Sequence, residues 1–326
     1  MKAAVRAATL AATSPWAMQW DSKAKGAAKL PQELFGNPAH LAIFLLPEAF
    51  TKMGLLKAAE CARVWLFGKG KSHSAAEARH PETDEKWRVC RFSLSEFRDS
   101  EMLKTQVDRL LGDAHDKLPA VATPDGFKDS RWDGLKTAAG KAIDNFQGKA
   151  SWERSLSFTD RIVNPPIYIT AYQVTKLDFI AKDEWITRSD LYASFGDFAL
   201  RSYLAAKIVK KKGDDQVYLQ PKSVAVRLWD DYDFVEKSVL RACAPLIPSI
   251  CSEVLGWWMD EATGTTITLN DNDFVSFRRD FLPVYNATKP REKPALLCLD
   301  FHPYSDFSVR KVEAAPEYPL PGLKAK

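Results

Sequence analysis

The stretch 223–281 constrains the fold of this chain most. It contains SVAVRLWDDYDFVEK, then SEVLGWW, then TTITLNDNDFVSFRRDF. Three times an apolar run with strand character ends in acidic turn residues. The pattern predicts a β-rich C-terminal half with carboxylates at the ends of its strands. Strands are expected at 167–174, 198–209, 216–219, 224–228, 265–269 and 295–299, with Gly213-Asp214-Asp215 as a hairpin turn. Lys210, Lys211 and Lys212 read as a solvated run that protects a sheet edge.

The front half reads differently. In PEAFTKMGLLKAAECARVWLF the apolar residues Phe50, Met53, Leu56, Val64 and Trp65 recur at helical spacing, which predicts one helix from Pro47 to a stop at Gly68. A second helix is expected over 95–111, ended by Gly112, and a third over 132–146. The predicted fold class is therefore α+β, a helical N-terminal half packed on a mainly antiparallel β-sheet C-terminal half. The expected divisions are a flexible leader at 1–32, a helical region at 33–150, a β-rich domain at 151–312 and a Pro-rich extended tail at 313–326.

Composition bounds function only loosely. A formal net charge of +4 over 326 residues gives no basic field of the kind nucleic acid selects, so no nucleic-acid partner is expected. No window approaches the roughly 18 consecutive apolar residues of a membrane span, so no transmembrane segment is expected. The first twenty residues are Ala- and Thr-rich, and Arg6 breaks them before a Sec-type apolar core can form. The protein is expected in the cytoplasm at synthesis, with any export by a Sec-independent route. The five cysteines form no CxxC pair, and Cys61 and Cys298 read as small buried hydrophobes.

Chemistry, if present, should lie in the strand-end carboxylates. Asp230, Asp231 and Asp233 follow one strand pattern, Asp271 and Asp273 another, Asp300, His302 and Asp306 a third, and Asp197 follows Gly196. Paired carboxylates can hold a hard cation or divide into acid and base. Asp is equally the usual turn and cap residue, because its side chain bonds nearby backbone N–H groups. The candidates are Asp231, Asp233, Asp273, Asp306 and His302. GKGKSHS lacks the spacing of a phosphate loop, DDYDFVEK lacks that of an EF-hand, and there is no GxSxG, HExxH or strand-linked GxGxxG. LCLDFHPYSD begins like a metallophosphoesterase, but the chain ends before the remaining elements of that family would follow. No cofactor and no resident metal are expected.

The order VAVRLWDDYDF, LGWW, NDNDFVSFRRDF and DFHPYSDFSV resembles the C-terminal part of a bacterial family, domain of unknown function 6402. The family elements fall on Asp231, Tyr232, Asp233 and Phe234, on Leu255, Gly256, Trp257 and Trp258, on Asp273, Phe274 and Arg278, and on Ser305 with Asp306. Phe195–Phe198 is similar to the family's Leu-Gly-x-Phe element, with Phe in place of Leu. The Met53-Gly54 helix resembles the family's helix ending in Trp-Phe, with Leu66 inserted between Trp65 and Phe67. The resemblance covers most of 45–312. It implies a type VI secretion-associated cargo or effector, with a secretion spike, effector or immunity protein as partner. The alternatives are an adaptor or chaperone-like binding module and a metal- or carboxylate-dependent hydrolase.

Overall fold

The computed structural model describes residues 38–52, 54–68, 89–158, 167–182, 189–230, 271–288, 298, 301–313 and 316–324. In chain order the elements are α1 (Pro38–Lys52), α2 (Leu56–Phe67), β1 (Val89–Phe92), α3 (Glu101–Lys117), α4 (Asp133–Asn145), β2 (Trp152–Leu156), β3 (Tyr168–Val174), α5 (Lys176–Ile180) and α6 (Asp190–Phe195). They continue with β4 (Phe198–Lys210), β5 (Gln216–Trp229), α7 (Asp271–Thr288), β6 (His302–Ser305), β7 (Ser308–Lys311) and β8 (Tyr318–Lys324).

The long alternating run after Gly196 forms β4, and Gly213, at φ 81°, turns the chain back into β5. These two antiparallel strands are the spine of the sheet. The outer edge of β4 carries β2 and β3, and that of β5 carries β6, β7 and β8. The short β1 adds to β6 in parallel. The strands expected at 216–219 and 224–228 are one strand, with Pro221 inside it. Register slips there, Pro221 facing Ala206 and Ser223 facing Ala205, so the bulge at Lys222 accommodates the proline.

The division into a helical front and a sheet back is overturned. Strands and helices alternate along the whole chain. β1 comes from the region expected to be helical, α5 and α6 fall between β3 and β4, and α7 falls between β5 and β6. The Pro-rich tail is β8, paired to β5 with Leu320 fully buried. Four residues are too few for a readable period in β1. Pro319 and Pro321 lower the strand signal of β8 but are tolerated because it is an edge strand.

The expected helix from Pro47 is two helices. Gly54 sits at φ 78°, its N–H donates to Thr51 O at 3.1 Å, and Leu55 N–H donates to Phe50 O at 2.9 Å. This is a Schellman ending, which favours glycine for its left-handed backbone. Pro47 lies inside α1 rather than opening a helix. The second expected helix begins later, with Ser100 Oγ accepting from Leu103 N–H at 3.1 Å. It runs past Gly112 to Lys117, because burying Leu111 and Ala114 outweighs about 1 kcal/mol for an internal glycine. The third matches α4.

α3 lies over one face of the sheet and joins Leu200, Leu204, Val224, Val226 and Leu228 in the main core. α7 packs Phe274, Phe277 and Phe281 into that core beside Phe44 of α1 and Trp65 of α2. Lys210 is buried, and its Nζ donates to Lys149 O at 3.3 Å. It closes a central strand, so the three-lysine run is neither wholly solvated nor at a sheet edge. No helix among the described residues is long and apolar enough to cross a membrane.

Candidate functional site

The strand-end carboxylates separate into different settings. Asp231 and Asp233 lie outside the described residues, as do Asp300, Trp257, Trp258 and the strand expected at 265–269. Of the strand expected at 295–299 only Cys298 is described, at a bend with φ 53°. Asp273 stands in the first turn of α7, and its carbonyl accepts from Ser276 Oγ at 3.0 Å. His302 opens β6 opposite Val89, and its side chain is outside those described. Asp306 is exposed and acts as a staple. Its carboxylate accepts from Ser93 Oγ at 2.7 Å and Leu94 N–H at 2.9 Å, and its own N–H donates to Phe92 O at 2.9 Å. It therefore caps the 3-10 turn Leu94–Phe97 and holds the β6–β7 corner against β1. Among the described residues no three His, Cys, Asp or Glu side chains gather as a metal site.

Asp190, which carried no signal in the sequence, is a second carboxylate used as a cap. Leu55 precedes α2 and has no capping side chain. Asp190 supplies the acceptor from α6, taking Lys57 N–H at 2.8 Å and Ala58 N–H at 2.9 Å. Burial raises its carboxyl above the ordinary value, opposed by those same backbone hydrogen bonds.

Arginine and aromatic side chains are concentrated on the sheet face opposite α3. Cross-strand pairs share a face, so Arg201 and Arg227 stand side by side there, as do Tyr203 with Ala225 and Ala199 with Trp229. Tyr304 of β6 pairs with Trp229, and Arg91 of β1 pairs with Tyr304. Trp229 and Tyr304 form an apolar cluster separate from the main core.

Guanidinium groups and rings interleave in this layer. Arg227 lies 4.2 Å from the Tyr304 ring centroid and 4.9 Å from that of Phe307, and its Nε donates to Ser305 O at 3.0 Å. Arg91 stands over the same tyrosine at 5.7 Å and donates from Nε to its hydroxyl. Arg201 lies 5.1 Å over Trp229. Phe307 also meets Tyr203 and Phe158 edge-on or tilted. Arg227 is buried, whereas Arg201 is half-buried and has no ion-pair partner among the described residues. Stacking on aromatic faces offsets part of the cost of withdrawing a cation from water.

Two segments held the signal for this layer. FALRSYL and VAVRLW each place an arginine mid-strand between apolar residues, where a merely solvated cation is unexpected. Arginine keeps its proton at any physiological pH and has five donors in a planar fork. The layer is thus suited to gripping carboxylates or stacking on apolar groups, and not to moving protons.

These features define an α+β protein with a long two-stranded spine, helices on one sheet face and a cation–aromatic layer on the other. Comparison with protein families, with curated proteins and with solved structures returns no match.

Proposed function

We propose that this chain works by binding a protein partner, as a type VI secretion-associated cargo or adaptor, with Arg201, at the half-buried margin of the arginine–aromatic layer, as its contact. The observation that carries the reading is Arg201. It is half-buried, fixed over Trp229, next to Arg227 on the neighbouring strand and without a carboxylate of its own among the described residues. Arginine is among the residues that most often dominate binding energy at protein interfaces, and the buried Trp229 beneath Arg201 fixes where it points. The partner surface that fits is acidic, presenting Asp or Glu to the free N–H groups of Arg201. The secretion setting rests on the resemblance carried by the motifs around Asp233, Trp258, Asp273 and Asp306.

The hydrolase alternative has less support. Asp306 commits both carboxylate oxygens to Ser93 and Leu94, and Asp273 belongs to a helix packed in the aromatic core.

The test is co-expression of the tagged chain with candidate type VI spike, effector and immunity proteins, followed by affinity purification. A stable complex is expected, weakened tenfold or more by Arg201→Glu. Copurification with none of them, or an Arg201→Glu variant that binds as well as the parent, would reject the reading. Expression in the cytoplasm and in the periplasm of a test bacterium separates cargo from adaptor, since only a toxic cargo stops growth. Toxicity abolished by Asp233→Ala would put the hydrolase in its place.

A further inference from the structure

Two cysteines outside the proposed contact meet inside the protein. Cys61 lies on α2 and Cys90 on β1, 29 positions apart, and the Cys61 thiol donates to Cys90 Sγ at 3.9 Å. Both are buried, with 0% and 2% of their surface exposed. A disulfide needs its sulfurs about 2.05 Å apart. Two thiols already in contact need to close by less than 2 Å, which side-chain rotation and small shifts of a four-residue edge strand can supply. Among the described residues β1 pairs with one strand, β6, so a small shift breaks no second ladder.

We propose that Cys61 and Cys90 are a redox-modification site, oxidised by a peroxide to one disulfide that ties α2 to β1. In the first step the thiolate of one cysteine attacks a peroxide oxygen. The O–O bond breaks, the departing hydroxide takes up the thiol proton as water, and a sulfenic acid is left. In the second step the other sulfur attacks the sulfenic sulfur, the S–O bond breaks, and the oxygen leaves as water with that thiol's proton. Two thiols are oxidised by two electrons and one peroxide is reduced to two waters. Hydrogen peroxide is small enough to reach a buried pair through local opening. Burial, with Cys90, Glu60 and Asp190 adding to it, pushes the Cys61 thiol up, so Cys61 rests as a thiol. The proposal does not rest on how the chain binds a partner, although β1 also carries Arg91 of the arginine–aromatic layer.

The experiment treats the full-length protein with hydrogen peroxide, blocks remaining thiols with iodoacetamide after unfolding, and maps a non-reduced digest by mass spectrometry. Expected are a cross-linked peptide containing Cys61 and Cys90, two fewer alkylated thiols, reversal by dithiothreitol and a Tm raised by about 5 °C. Cys61→Ala and Cys90→Ala each remove the cross-link and the Tm rise, while Cys298→Ala keeps the cross-link. The proposal is overturned if both cysteines remain alkylatable after peroxide, if they appear as sulfinic acids without a cross-link, or if Cys61→Ala still shows the Tm rise. Should an alanine variant fail to fold, the cross-linked peptide in the unsubstituted protein decides alone.

Discussion

Asp190 joins two elements through one carboxylate, and its energetics follow from where it sits. The N-terminus of α2 begins after Leu55, which has nothing to offer the first free N–H groups, so Asp190 accepts from Lys57 and Ala58. Removing the acceptor with Asp190→Ala should cost about 1–2 kcal/mol, read by urea unfolding. The pH dependence has the opposite sign from that of most carboxylates. Burial holds the folded carboxyl above its ordinary value of 3.8. The folded chain therefore binds this proton more tightly than the unfolded chain does. Its stabilising contribution is complete below 3.8 and is lost as pH rises through the raised folded value. Asp190→Asn keeps an acceptor and removes the titration. The variant should gain on the parent protein between about pH 3.5 and pH 7, and a parent that gains on the variant over that range would refute the assignment.

At the scale of elements, the sequence displayed lengths and types better than endings. The alternation in 167–174 and 198–209 is visible because one face of those strands must be apolar, and β3 and β4 follow it closely. Asp271 and Asp273 read as strand-end turn residues, because aspartate is a turn residue in isolation, yet both lie in the first turn of α7. The spacing of Phe274, Phe277 and Phe281 is nevertheless helical, and α7 buries all three. Asp306 was legible as a turn and cap residue, but its partners Ser93 and Leu94 are more than two hundred positions away and no local pattern reports them. The pairing within the arginine–aromatic layer was hidden for a similar reason: Arg201 and Arg227 become neighbours only through the register of β4 and β5.

The break at Gly54 tests the same point energetically. A Cβ there would meet nothing within 4 Å, so a side chain would be resisted by the backbone alone. Gly54→Ala should cost about 1–2 kcal/mol for its left-handed conformation, and Gly54→Asn less. Chemical denaturation of both variants checks the order. An alanine variant as stable as the parent would mean that the α1–α2 corner does not depend on this ending.

For the whole molecule, the sheet is assembled from pieces far apart in sequence, and its last piece shows how much that matters. A tail carrying Pro316, Pro319 and Pro321 looks dispensable on composition alone. In the fold, β8 covers the first residues of β5, where Val217 and Leu219 are fully buried. Gln216 Nε2 donates to Leu320 O at 2.9 Å, and Leu320 itself has no exposed surface. Replacing Leu320 by Ala removes buried methyl groups and leaves a cavity, which should cost about 2–5 kcal/mol. Leu177 provides the control on the same residue type. It is 72% exposed, so Leu177→Ala should shift stability by no more than about 0.5 kcal/mol. Urea unfolding of the two variants side by side separates a docked strand from a loose tail. Equal, small losses would place the last strand outside the cooperative unit, whereas a large loss confined to Leu320→Ala makes β8 part of the unit that unfolds together.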